Sequence, residues 1–133
     1  MSTGQLTLEN TYDGIGSYEI DISCLADTNT HWKHPRGVST LRQTWKWYWK
    51  DSHFITSESD LHWNALYKPG GTTIITQQPL CNGITNSGQD PHSFGRWSFI
   101  TIAGREQSII TIISKYRVCD IQIQNAGHIT NAK

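Results

Sequence analysis

The stretch RWSFITIAGREQSIITIISKYR, Arg96 to Arg117, decides the fold. Two runs rich in β-branched and aromatic residues, Arg96 to Ile102 and Ser108 to Ser114, flank the turn Ala103-Gly104-Arg105-Glu106, which reads as a β-hairpin. Ile109, Ile110, Ile112 and Ile113 are apolar on both faces of the second strand, so that strand is predicted to be central rather than an edge. Its far end delivers Lys115, Tyr116 and Arg117. A cation, a phenol and a guanidinium together supply directed donors suited to a phosphate oxygen. The plainer alternative is a solvated strand exit.

Moving toward the N-terminus, Asn86 to Gly95 carries Gly88, Asp90, Pro91 and Gly95 and is predicted to be a loop. Leu80 to Ile84 is a short apolar run and a candidate strand. YKPGG, Tyr67 to Gly71, is a turn opening the strand Thr72 to Thr76. Phe54 to Thr56 is another short strand. Before it, Leu41, Trp45, Tyr48 and Trp49 fall at i, i+4, i+7 and i+8, which predicts a helix over Ser39 to Asp51. That helix is expected to pack on the hairpin through Leu41, Trp45 and Trp49. Lys33, Arg36, Arg42, Lys46 and Lys50, interleaved with Trp32, Trp45, Trp47 and Trp49, form a basic aromatic segment with two readings. It is either a nucleic-acid-tracking surface or an amphipathic helix that solvates its lysines.

Ile20 to Ala26 reads as a buried strand, and Asp27 follows it directly. A carboxylate just past such a strand sits at a sheet rim, where metal ligands and catalytic acids are commonly mounted, although an Asx turn with Thr28 and Asn29 is the simpler use. His31 and His34 follow at short spacing and could ligate a transition metal with Asp27. Solvated loop histidines fit the Pro-containing, non-periodic context better.

The chain has 133 residues, which argues for one domain, and its 36% hydrophobic content suffices for a core. Formal net charge is zero, so total charge points to neither nucleic acid nor membrane. No signal peptide pattern and no apolar run of about 20 residues is visible, and an intracellular protein without a membrane partner is expected. Cys24, Cys81 and Cys119 are odd in number and widely spaced, as expected of reduced thiols. GxSxG, P-loop, HExxH and dinucleotide glycine motifs are absent, which sets those enzyme classes aside. Residues 1–19 are predicted to be a weakly ordered lead-in, 20–125 the domain and 126–133 a tail.

Taken in order, LADTNTHW (Leu25 to Trp32), the Trp-rich helix, WNALYKPGGT (Trp63 to Thr72), GRWS (Gly95 to Ser98) and TIISKYRVCD (Thr111 to Asp120) resemble the endonuclease/exonuclease/phosphatase superfamily. The likeness is strongest to the endonuclease-like domains attached to non-LTR retroelement reverse transcriptases, and it covers most of residues 20–125. It implies an α/β fold: part of a four-layer α/β sandwich, a mostly antiparallel mixed sheet with one flanking helix. It further implies Mg²⁺-dependent cleavage of DNA phosphodiesters. Asp27 takes the position of the family's metal-binding Glu in a Glu-Thr pair, one methylene shorter. Tyr116 matches the phosphate-side catalytic tyrosine, with Arg117 and Lys115 as phosphate-binding neighbours. The family's N-terminal Asn motif has no match here, and its Asp-x-Asn and Ser-Asp-His segments do not occur. The resemblance therefore implies an inactive fragment with an open sandwich face through which it self-associates. The alternative is a non-catalytic nucleic-acid or protein-binding module built on residues 32–50.

Overall fold

β-Branched residues dominate the strands of this chain, and period-two alternation gives each strand two faces to bury. The computed structural model describes residues 10, 14, 17–31, 49–60 and 70–117. Within them, β1 (Ile22–Ala26), β2 (His53–Ser57) and β3 (Thr72–Thr76) form one sheet in the order β1-β3-β2. β4 (Ile84–Gln89), β5 (Trp97–Ala103) and β6 (Ile109–Lys115) form a second sheet in sequential order. All the described strand pairings are antiparallel.

The centre of the first sheet is β3, Thr-Thr-Ile-Ile-Thr, buried at every position. Ile74 and Ile75 point to opposite faces. Ile74 meets Ile100 and Ile102 of β5, and Ile22, Ile55, Ile84 and Ile112 close the layer between the sheets. Ile75 lies on the outer side, where Ile20, Leu25, Trp49 and Phe54 pack against it. Each fully buried Ile contributes about 1.5–3 kcal/mol of hydrophobic stabilisation. Hydroxyls also bridge the sheets: Thr72 Oγ1 lies 2.9 Å from Ser98 Oγ, and Ser114 Oγ donates to the Leu25 carbonyl at 3.1 Å.

Four expectations need correction. Among the described residues β5 is the central strand of its sheet and β6 lies at the edge, with Ile109, Ile110 and Ile113 exposed by 70%, 57% and 61%. Its outer face carries isoleucines that no described element covers, so an apolar composition on both faces did not make the strand central. Leu80 to Gly83 is a 3-10 turn rather than a strand, and the strand begins at Ile84, running through residues predicted to be loop. Gly88 serves that strand because a Cβ there would stand 2.4 Å from the Phe99 ring. Trp49 packs on Ile75 of the first sheet, where the hairpin was expected to be its partner. Positions 49–51 form a bend and turn in which Asp51 has φ 63°, and the remainder of the predicted helix lies outside the described residues. Finally, the second sheet expected to be largely missing is present among the described residues, and the inner faces pack on one another through Ile74, Ile100 and Ile102, with Ile110 at the inner margin 57% exposed.

Candidate functional site

Antiparallel pairing brings the exits of β1, β2, β4 and β6 and the entries of β3 and β5 to one end of the sandwich. Asp27, the first residue past β1, is exposed and adopts φ 56°, the left-handed region that Asp and Asn tolerate best. Asn29 also turns left-handed at φ 51°. Its side-chain amide donates to the Asp27 carbonyl at 3.1 Å, its backbone N–H donates to the Gly70 carbonyl at 2.8 Å, and its Oδ1 accepts from the Gly70 N–H at 3.0 Å. The Thr28 N–H reaches the Gly71 carbonyl at 3.3 Å. The turn carrying Asp27 is thereby pinned to the entry of β3.

Two glycines make this junction possible. Gly70 has φ 78° and Gly71 φ 98°, conformations costly for side-chain-bearing residues. A Cβ at Gly70 would stand 2.9 Å from Tyr116 Cε1, and one at Gly71 would stand 2.7 Å from Thr28 Oγ1. Bare backbone lets Tyr116 and Thr28 close in from two sides. Thr28 Oγ1 is buried there and makes no hydrogen bond among the described residues. The Tyr116 N–H donates to the Arg96 carbonyl at 2.7 Å, extending the β5–β6 ladder one step past Lys115.

Asp27 and Tyr116 thus lie at the same rim, linked through Asn29 and Gly70. Arg117 follows Tyr116 and is exposed. Lys115 pairs with Trp97 in the ladder and, by alternation, faces the outer side of the second sheet, away from Tyr116. His31 is not a solvated loop residue. It is only 8% exposed, and its Nδ1 lies 3.0 Å from Glu58 Oε2, itself on a residue 7% exposed. The described structure thus places the His31 ring against Glu58 in a buried pair. His34 lies outside the described residues. Glu58 was missed in the sequence reading, although it follows β2 as Asp27 follows β1, and the same rule applies to both.

Among the described residues no group of three His, Cys, Asp or Glu side chains could hold a metal. The Asp27 carboxylate makes no hydrogen bond or ion pair among them. Mg²⁺ keeps several waters and is usually held by one or two carboxylates together with substrate phosphate. Among the described residues the donor set fits an ion shared with a bound phosphate and not a cage closed by protein alone.

A sandwich of two antiparallel sheets with a carboxylate and a tyrosine on one rim defines the architecture to compare. The chain is similar to the solved structure of an endonuclease/exonuclease/phosphatase family protein from Leptotrichia buccalis C-1013-b, with a TM-score of 0.62 and 16% sequence identity over the whole of this chain. The fold is therefore that of an endonuclease/exonuclease/phosphatase protein, and the chain spans 58% of the length of that structure. No family model matches the sequence, and no curated protein matches it.

Proposed function

We propose that this rim is the phosphate side of a Mg²⁺-dependent phosphodiester site acting on DNA, of the kind carried by retroelement endonucleases, and that the chain as it stands binds phosphodiester without turning it over. The observation that carries the reading is the convergence of Asp27, Thr28 and Tyr116 around the bare backbone of Gly70 and Gly71. Asp27 offers a carboxylate, without a partner among the described residues, for the ion and substrate to share. Tyr116 and Arg117 supply donors for non-bridging oxygens, and charge-assisted hydrogen bonds of this kind are the strong ones. Bound Mg²⁺ would supply charge neutralisation at the phosphate.

Turnover also needs a group that takes the proton from the attacking water. His31, chemically suited to that task, is buried against Glu58. Loss of one oxyanion-type donor alone typically costs about 100- to 1000-fold in rate, and loss of a base adds to it. Nicking of supercoiled plasmid by the purified protein, with Mg²⁺ and beside Asp27→Ala, is expected to stay at background for both proteins. Mg²⁺-dependent nicking that disappears in Asp27→Ala would overturn the inactive reading and establish an enzyme.

A further inference from the structure

The β4–β5 connection, Asp90 to Arg96, presents an exposed aromatic on a backbone fixed from three sides. Asp90 is 5% exposed, and its carboxylate accepts the N–H groups of His92 at 2.9 Å and, more weakly, Arg96 at 3.4 Å. Its own N–H donates to the Trp97 carbonyl at 3.0 Å. On the other flank, Phe94 bridges to Ser59 and the Ser93 carbonyl accepts the Asp60 N–H at 2.9 Å. Gly95, at φ 66°, presses so closely on the second strand's exit that a Cβ would lie 2.6 Å from the Ser59 nitrogen. The Gly95 carbonyl accepts the Gly71 N–H at 3.2 Å, and the Arg96 carbonyl accepts the Tyr116 N–H. The loop is therefore joined by hydrogen bonds to Gly71 and Tyr116, both at the rim.

What it displays is a strip of planar groups. The His92 and Phe94 rings stack with centroids 6.1 Å apart and planes 28° apart, and the Arg96 guanidinium sits 5.0 Å from the Phe94 centroid. With both neighbours in place Phe94 is still 52% exposed. A phenylalanine serving the core would be covered, and one in a loop free to move would turn inward. This one is held outward, with an imidazole and a guanidinium against it.

From this we infer that His92, Phe94 and Arg96 form a platform for an unpaired nucleobase next to the phosphodiester rim, so that the chain selects single-stranded or locally opened nucleic acid over intact duplex. Every base has a π-face, and stacking on an aromatic beside an Arg is the sequence-tolerant way to hold a strand. A paired base inside a duplex keeps its faces covered by its neighbours and cannot occupy such a platform. The inference rests on the phosphodiester reading of the rim, because it takes the strand's backbone to lie along Tyr116 and Arg117.

The test is fluorescence anisotropy of a labelled oligothymidylate and of a duplex of equal length, with the 133-residue protein in Mg²⁺. The single strand is expected to bind at least about 10-fold more tightly than the duplex, the scale of one or two base stacks. Phe94→Leu keeps an apolar side chain on the loop and is expected to remove that preference, while Phe94→Tyr retains it. Equal affinity for both forms, or a preference unchanged in Phe94→Leu, overturns the platform. Arg117→Ala and Asp27→Ala separate the two readings. If they leave binding unchanged while Phe94→Leu abolishes the preference, the platform stands and the rim assignment falls. If they weaken binding and Phe94→Leu does not, the rim stands and the platform falls. Binding of neither oligonucleotide removes both.

Discussion

Thr72 and Thr73 are adjacent on β3 and both fully buried, yet their hydroxyls have opposite consequences. Thr72 Oγ1 is 2.9 Å from Ser98 Oγ in the other sheet, whereas Thr73 Oγ1 is buried with no hydrogen-bond partner among the described residues. Stranding a buried polar group costs about 1–3 kcal/mol, while removing one that is already stranded costs nothing on that account. Thr72→Val is therefore expected to destabilise by about 1–3 kcal/mol through Ser98, and Thr73→Val to be neutral or stabilising by about 1 kcal/mol. Urea midpoints of the two variants decide the matter, and equal losses in both would contradict it. The same scale explains which polar residues at the strand exits were legible. Asp27 stands out because it interrupts an apolar run at its end. Glu58 sits among Ser57, Ser59 and Asp60, where one more polar residue carries no contrast, and its burial depends on the partner brought by His31.

Composition misleads when strands are compared as elements. The Ile-Ile-Thr-Ile-Ile run of β6 is more apolar than Thr-Thr-Ile-Ile-Thr of β3, but β3 is the strand buried throughout. β3 lies between two neighbours with a layer on each face, and position in the sheet, not side-chain character, sets its burial. β4 was hidden for the converse reason, since Asn86, Ser87 and Gly88 suit a loop as readily as an edge strand. At the head of β2, His53 stands opposite Thr76 on the inner face, its Nδ1 buried without a partner among the described residues, and burial lowers its pKa from the usual 6.5. The folded imidazole resists protonation, so the unfolded chain binds more protons as pH falls through about 6.5. His53 accordingly contributes a stability loss that begins below that pH and is absent above it. Thermal midpoints measured from pH 8 to pH 5 should fall less steeply in His53→Gln than in the unaltered protein. Parallel curves would show that His53 does not contribute.

At the scale of the molecule, the exposed isoleucines of the described residues gather on the second sheet, chiefly on its outer face. Trp97, Phe99, Ile109 and Ile113 share that outer face by register, and Ile109 and Ile113 are exposed by 70% and 61%. Exposed apolar area of this kind mediates association or binds hydrophobic dyes. The chain is expected to bind anilinonaphthalene sulfonate and to self-associate at high concentration, and Ile113→Lys should reduce both without lowering the thermal midpoint. Dye binding unchanged by Ile113→Lys would place the apolar surface elsewhere.

The existence and order of most strands follow from the sequence by itself. Alternation, β-branching and the turn residues at Gly70-Gly71 and Ala103-Gly104 are local properties, and local geometry is all that a strand or turn requires. The placement of Asp27 and Tyr116 at strand ends was also readable, each as a polar residue closing an apolar run. What only the tertiary structure decided is every relation between strands distant in the chain. These include the two-sheet sandwich, the edge position of β6, the packing of Trp49 on Ile75, the burial of His31 with Glu58, and the fastening of the Asp90–Arg96 loop to the rim. These relations depend on which surfaces compete for the same partner, and a surface's partner is fixed by packing across the whole domain rather than by the residues beside it.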